Sequence, residues 1–154
     1  MTRIIAALII FGGLSFSAVA SAQEAPPPCG AAGDLSPELS GNVAADSRCF
    51  ELRMYTAEPE SDGKGGIDNL HQRFREKEVA LFEKHGAEVI AAWQRLDNPN
   101  TLVWMLAYRD RAHRDEVFAA FLADPEWKAL LAKYPVPIEI EAFMMSASDY
   151  SALK

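Results

Sequence analysis

The sequence predicts an α+β domain with the ferredoxin-like β-α-β-β-α-β arrangement and an antiparallel sheet. Three observations support this fold class: short alternating runs, two longer runs with helical spacing, and the order in which they follow one another between Cys49 and Ser148. In this arrangement the helices cover one face of the sheet and leave the other bare. We therefore expect a partner or a ligand to cover the bare face.

The first predicted strand spans residues 50–56 and alternates regularly. Its apolar side chains share one face: Phe50, Leu52 and Met54. The opposite face carries Glu51, Arg53 and Tyr55. We expect the apolar set to face the helices and the polar set to face the open side.

The first long helix is predicted over residues 67–85 by an apolar stripe, which comprises Ile67, Leu70, Phe74, Leu81 and Phe82. Gly86 is suited to end this helix in the left-handed conformation. Strands follow at 88–96 and 101–108, joined by a turn of Asp, Asn and Pro residues. In the second strand Val89, Ala91 and Trp93 are expected on one face. The third strand is apolar on both faces, which indicates burial on both sides.

A second helix is predicted over residues 112–122, with a restart at Asp124–Pro125 as N-cap and first helical residue. Pro135 and Pro137 end that segment. The last strand is predicted at 139–146, with Glu139, Glu141 and Phe143 opposite Ile140, Ala142 and Met144.

The amino terminus has the features of an export signal, namely Arg3, an apolar run and Ala20–Ser21–Ala22 as a cleavage site. The alternative is a membrane anchor, but the apolar run is shorter than the roughly 20 residues that a spanning helix needs. We predict a cleaved signal over 1–22, a flexible arm rich in Pro and Gly over 23–48, and one folded domain over 49–150. Export implies a periplasmic or secreted protein, without membrane attachment once the signal is removed.

Two cysteines, Cys29 and Cys49, remain in the mature chain. In an oxidising compartment a disulfide between them would tie the arm to the first strand. The alternative is two free thiols. Neither cysteine has a second ligand at metal-binding spacing, so we expect no metal site.

Charge and motifs exclude several classes of function. The formal net charge of −7 makes nucleic acid a poor partner. The sequence contains no Gly-x-Ser-x-Gly motif and no dinucleotide-binding fingerprint, so neither triad hydrolysis nor a nicotinamide cofactor is indicated. We expect no cofactor.

Four segments in order resemble the NIPSNAP family: FELRxY at 50–55, LFEKHG at 81–86, NPNTLVWxLAY at 98–108 and ADPEW at 123–127. The resemblance covers residues 49–148 and implies a homodimeric α/β barrel in which two sheets face one another. Members of this family generally lack an assigned enzymatic activity, so the resemblance implies none for this chain. Roles suggested for relatives are vesicular or mitochondrial, which does not suit an exported chain.

The candidate ligand-binding residues are those expected to converge on the barrel interior, with one histidine on the first long helix: Arg53, Tyr55, His71, Trp104, Tyr108 and Glu141. Arginine, acids and aromatic rings together are typical of a small-molecule site. The alternative is structural: Arg53 pairs with a glutamate to neutralise buried charge, and Trp104 fills space.

Two functional hypotheses follow. The first is a homodimer that binds a small apolar or aromatic ligand or a protein partner. The second is an enzyme, either a cofactor-free monooxygenase or a haem-using oxidoreductase, acting in the barrel cavity.

Overall fold

The computed structural model describes residues 25–154, so the predicted signal over 1–22 lies outside the described residues. One antiparallel sheet is formed by four strands: β1 (Cys49–Ala57), β2 (Glu88–Gln94), β3 (Thr101–Tyr108) and β4 (Ile138–Ser146). The strand order is β2-β3-β1-β4, with β1 and β3 central. This order and the alternation with helices confirm the ferredoxin-like prediction.

The helices are α1 (Pro37–Ser40), α2 (Ile67–Arg73), α3 (Val79–Lys84), α4 (Arg111–Ala123) and α5 (Pro125–Lys133). A π-helical turn, Phe74–Glu78, connects α2 to α3, so the first long helix is one run with a wide turn in its middle. The sequence analysis did not anticipate this turn. The restart before α5 is confirmed, because the Asp124 carboxylate accepts a hydrogen bond of 2.8 Å from the Glu126 backbone N–H. None of the helices in the described range is long and apolar enough to cross a membrane.

The main core lies between the helices and the sheet, and Trp104 of β3 is at its centre. This indole is fully buried and meets three aromatic rings edge-on, at centroid distances of 5.4 Å to Tyr55, 5.0 Å to Phe74 and 5.1 Å to Phe82. Such edge-to-face pairs stabilise beyond the effect of area burial alone. The first long helix, β1 and β3 are thereby held in one orientation.

The face assignment of β1 in the sequence analysis was wrong. Arg53 and Tyr55 face the helices: the Arg53 guanidinium lies 5.0 Å from the Phe118 ring of α4, and the Tyr55 ring lies 6.1 Å from that of Phe74. Glu51 lies on the same side and is fully buried. Alternation separates two faces but does not show which one the helices cover. Here the helices cover the charged face, and side chains of opposite charge within the chain neutralise one another there.

The opposite side of the sheet, called the open face below, is mainly apolar, although the register also places Glu139 and Glu141 of β4 on it. Its central residues are set by the pairing register and comprise Phe50, Leu52, Met54, Val103, Met105, Phe143 and Met145. Trp93 joins them from β2, where a bulge between Val89 and Ala91 moves these two residues to opposite faces, contrary to the regular alternation expected. Trp93 and Phe143 are each 48% exposed.

The arm that precedes β1 lies against the end of the sheet. The predicted disulfide between Cys29 and Cys49 is present. Hydrogen bonds from Gly30 N to Ser146 Oγ (2.8 Å) and from Ala44 N to Ala147 O (2.9 Å) add to it. The mobility of this arm in solution stays a prediction.

Replacing both cysteines, in Cys29→Ala/Cys49→Ala, should lower the free energy of unfolding by about 3 kcal/mol, because the bridge restricts a loop of 20 residues in the unfolded chain. Urea denaturation monitored by circular dichroism measures this loss. The reduced wild-type protein is the matched control and should lose a similar amount. An unchanged midpoint in both would contradict a stabilising bridge.

A cleft beneath the helices

A cleft of about 210 Å³ opens between the β1–β4 side of the sheet and the helices above it. Four polar residues line it: Arg53 and Tyr55 from β1, and Arg73 and Glu78 from the first long helix. Aromatic rings form much of the remaining wall: Phe82, Phe118, Phe121 and Trp127. A concave site with apolar walls and a few convergent polar groups is typical of small-molecule binding.

The π-helical turn brings Arg73 and Glu78 to the same side of their helix. Glu78 comes five positions after Arg73, and the i-to-i+5 hydrogen-bond pattern of a π turn aligns two such positions. Arg73 Nε donates a hydrogen bond of 2.8 Å to Glu78 Oε2, and each residue is only 1% exposed. The Arg73 guanidinium also lies 5.3 Å from the Trp127 ring centroid. The turn therefore sets a buried ion pair at the wall of the cleft.

Glu51 anchors the second charged group, at the side of Arg53 away from Tyr55. Its carboxylate accepts two hydrogen bonds from Arg114, from Nε at 3.0 Å and from Nη2 at 2.9 Å. Arg53 Nη1 donates to the same carboxylate, and the Tyr108 hydroxyl donates at 3.2 Å. Burial acts to raise the pKa of Glu51, but the two arginines outweigh it and hold the pKa below its ordinary value. The Glu51 carboxylate is thus ionised, accepts four hydrogen bonds and helps to hold Arg53 in place.

Several hydrogen-bonding atoms at the cleft have no partner within residues 25–154. Arg53 Nε donates to the Tyr55 hydroxyl at 3.0 Å and Nη1 to Glu51, but Nη2 makes no hydrogen bond to the described chain. In the same part of the chain, Arg73 bonds through Nε alone and Glu78 through Oε2 alone. Within residues 25–154, the fully buried side-chain atoms that lack a partner are Trp104 Nε1 and Arg111 Nε. The free atoms of Arg53, Arg73 and Glu78 are therefore accessible from the cleft, where water or a ligand can bond to them.

Burial shifts the pKa values of two cleft residues. It raises the pKa of Glu78 from 4.5 to about 7, although the charge and hydrogen bond of Arg73 act in the opposite direction. It raises the pKa of Tyr55 from 10.0 to about 12, with Arg53 opposing. Near neutral pH the cleft therefore contains a neutral tyrosine hydroxyl and a carboxyl group close to its point of half-ionisation.

The six predicted site residues do not converge on one place. Arg53 and Tyr55 line the cleft. Trp104 is packed in the core beneath it, and Tyr108 is buried on the Glu51 side of the cluster. His71 lies in a separate groove beside β2, where its Nε2 is 2.8 Å from Gln94 Oε1. Glu141 pairs with Met54 in register and therefore lies on the open face, as expected for strand four. That any of the six binds a ligand stays a prediction.

Sequence reasoning missed Arg73, Glu78 and Arg114 as parts of a site, and it placed Glu51 beside Arg53 but on the wrong side of the sheet. A signal existed for Glu78, which falls four residues after Phe74 and four before Phe82, on the apolar stripe of the predicted helix. A charged residue on a core-facing stripe is expected to be paired or functional. Arg73 gave no comparable signal, because only the wide π turn aligns it with Glu78.

The imidazoles of the described chain lie away from the cleft. His71 contacts Gln94, His85 Nε2 lies 2.8 Å from Asp124 Oδ2, and His113 Nδ1 accepts from the Arg109 backbone N–H at 3.2 Å. Within residues 25–154, no group of three or more His, Cys, Asp or Glu side chains is arranged to hold a metal ion. A haem group in the cleft would therefore find no histidine ligand from this part of the chain.

A four-stranded antiparallel sheet with one helix-covered face and one open face defines a small α+β protein of the ferredoxin-like class. The NIPSNAP family profile matches residues 50–151, and the chain belongs to this family. The resemblance drawn from the four sequence segments is thus confirmed.

Solved structures agree on the fold. A NIPSNAP family protein of unknown function from Agrobacterium tumefaciens is 21% identical, with a TM-score of 0.63, and the match covers 73% of this chain and 99% of that one. An uncharacterised NIPSNAP-like domain protein from Burkholderia xenovorans is 21% identical, with a TM-score of 0.58 and coverage of 68% and 88%. At this identity the likeness extends to the fold alone. No curated protein gave a significant sequence match.

Glu78→Gln should remove a pH dependence of stability. The pKa of Glu78 is higher in the folded state, so its contribution is present at low pH and is lost as pH rises from about 4.5 to about 7. Relative to Glu78→Gln, the wild type should lose roughly 3 kcal/mol of unfolding free energy between about pH 4 and pH 8. Urea denaturation across that range measures the difference.

The matched control is Glu76→Gln, because Glu76 lies on the exposed side of the same turn. Hydrogen bonds from Lys133 and Tyr134 lower the pKa of Glu76. Its substitution should change the pH profile slightly and in the opposite direction. Parallel profiles for wild type and Glu78→Gln would show that Glu78 keeps its ordinary pKa.

Proposed function

We propose that this protein binds a small planar ligand, aromatic or otherwise apolar and bearing an oxygen anion, in the cleft beneath the helices. The observation that carries the proposal is that guanidinium N–H groups of Arg53 and Arg73 make no hydrogen bond to residues 25–154 and lie at an opening with aromatic walls. Guanidinium groups that keep free N–H donors are suited to an oxyanion, because charge-assisted hydrogen bonds are stronger than neutral ones. The flat walls suit a ring system.

The charge balance around the cleft favours an anion over a cation. Three arginines, Arg53, Arg73 and Arg114, are opposed by Glu51 and Glu78 and, at Arg114, also by Asp115. Glu51 is ionised, whereas Glu78 is partly protonated near neutral pH because burial raises its pKa to about 7. The cluster therefore has an excess of positive charge that an anionic ligand would offset.

The test compares 2-naphthoate with its neutral isostere 2-naphthamide by isothermal titration calorimetry. We expect the carboxylate to bind more tightly than the amide, and Arg73→Met/Glu78→Gln to weaken naphthoate binding by about 10- to 100-fold through loss of a charged hydrogen bond. This double variant should stay folded, because a buried ion pair can often be replaced by neutral groups of similar volume.

The matched control is Lys133→Met/Glu76→Gln, which removes an exposed ion pair from the neighbouring surface. It should bind naphthoate like the wild type. Equal affinity for 2-naphthoate and 2-naphthamide would contradict an anion site in the cleft. So would an equal loss of naphthoate affinity in both double variants.

We further propose that the partner on the open face is a second copy of this chain, forming the barrel that the family resemblance implies. The support is the apolar character of that face, where Trp93 and Phe143 stay half exposed in the single chain. Contiguous exposed apolar surface of this kind is typical of an interface. The N-terminal sequence pattern and the disulfide between Cys29 and Cys49 support a location outside the cytoplasm, so we propose a periplasmic or secreted protein.

Light scattering after size-exclusion chromatography tests the dimer. The wild type should elute with the mass of two chains at micromolar concentration, and Met105→Glu should be a monomer because it buries charge in the centre of the interface. Leu96→Glu is the control, since Leu96 is 94% exposed in the turn after β2. A monomeric wild type would refute the dimer.

A further inference from the structure

We propose that the cleft also catalyses proton transfer, with Glu78 as the general base that removes a proton from a carbon next to a carbonyl group of the ligand. The inference rests on the proposed ligand-binding function and adds to it a reaction class, enolisation. Its substrates would be planar compounds with a carbonyl oxygen and an acidic C–H beside it.

Glu78 is placed as a base should be. It lines the cleft, its Oε2 is held by Arg73 Nε at 2.8 Å, and its Oε1 has no hydrogen-bond partner in residues 25–154. One oxygen is thus fixed while the other stays free to accept a proton. The burial that surrounds it brings its pKa to about 7, and a base works best with a pKa close to the operating pH.

Arg53 and Tyr55 supply the complementary group, a site for negative charge on oxygen. Tyr55 Oη already accepts a hydrogen bond of 3.0 Å from Arg53 Nε, so its own hydrogen remains available for donation. Burial raises its pKa to about 12, which keeps that hydrogen in place. With Arg53 Nη2, the cleft presents two donors to one developing oxyanion, and such fixed donors lower the barrier to enolate formation.

The step balances without an oxidant or a cofactor. The C–H bond breaks, its proton passes to Glu78 Oε1, and its electron pair moves into the new C=C bond as the carbonyl electrons shift onto oxygen. The enolate oxygen is held by Tyr55 and Arg53. Return of a proton from Glu78 to the same carbon restores the carbonyl compound and regenerates the base.

The probe is 2-tetralone, a bicyclic ketone with one aromatic ring and acidic protons beside its carbonyl. In D₂O, proton NMR measures how fast these protons exchange for deuterium. We expect the wild type to accelerate exchange over buffer at the same pH, with a rate that rises as Glu78 ionises around pH 7. Glu78→Gln should lose about 10²- to 10⁴-fold of this acceleration, while its amide oxygen keeps the hydrogen bond to Arg73.

Glu76→Gln is the matched control and should exchange like the wild type. Near-ultraviolet circular dichroism checks that Glu78→Gln is folded, and the pH profile of the wild type tests the base without any substitution. A rate equal to buffer, or one that Glu78→Gln leaves unchanged, overturns the proposal.

Calorimetry with 2-naphthoate separates this failure from failure of the binding function. If naphthoate binds and tetralone exchange stays at the buffer rate, the cleft is a binding site and Glu78 is not a base. If naphthoate does not bind, the binding function and the enolisation proposal fall together.

Discussion

The burial of four charged side chains between the helices and the sheet, with a fifth partly buried beside them, is the constraint on which the rest of this structure depends. Glu51, Arg53 and Arg114 form one group, and Arg73 with Glu78 forms another. Removing one partner from such a pair costs several kcal/mol, whereas replacing both with apolar groups of similar volume is often neutral or stabilising. Stability alone therefore gives no reason for this core to be charged. The proposed ligand site would use these groups as fixed donors and as a carboxyl group of raised pKa.

The two faces of the sheet are specialised in opposite ways. The helix-covered face holds the charged groups and the cleft, while the open face is built from Phe, Leu, Met and Val side chains. The disulfide-bound arm lies at the end of the sheet marked by Cys49 and Ser146, and the cleft reaches the other end, near Tyr55 and Ile138. The arm thus stabilises the domain without closing the cleft. In the proposed dimer, each chain would keep its own cleft outside the interface.

The sequence was sufficient for the fold because the fold depends on periodicity, which the chain displays plainly. The two helical stripes, the Asp124 cap before α5 and the doubly apolar β3 all appear where the patterns predict them. The boundaries differ by one or two residues, which is the usual uncertainty at element ends.

The site was harder to predict, for identifiable physical reasons. Alternation along β1 distinguishes two faces but does not show which of them the helices cover, and here the helices cover the charged face. The π turn aligns Arg73 with Glu78, and the spacing of an ordinary helix does not show this. The bulge in β2 similarly depends on pairing with β3. Each error comes from a local irregularity or from a choice between the two faces of a strand.

The central claim is that the ligand lies beneath the helices and not between the sheets of a dimer. Intermolecular nuclear Overhauser effects between bound 2-naphthoate and the assigned aromatic protons of the protein test it most directly. The account predicts contacts with Phe118, Phe121 and Trp127, which line the cleft. Contacts with Phe50 and Phe143 of the open face would contradict it.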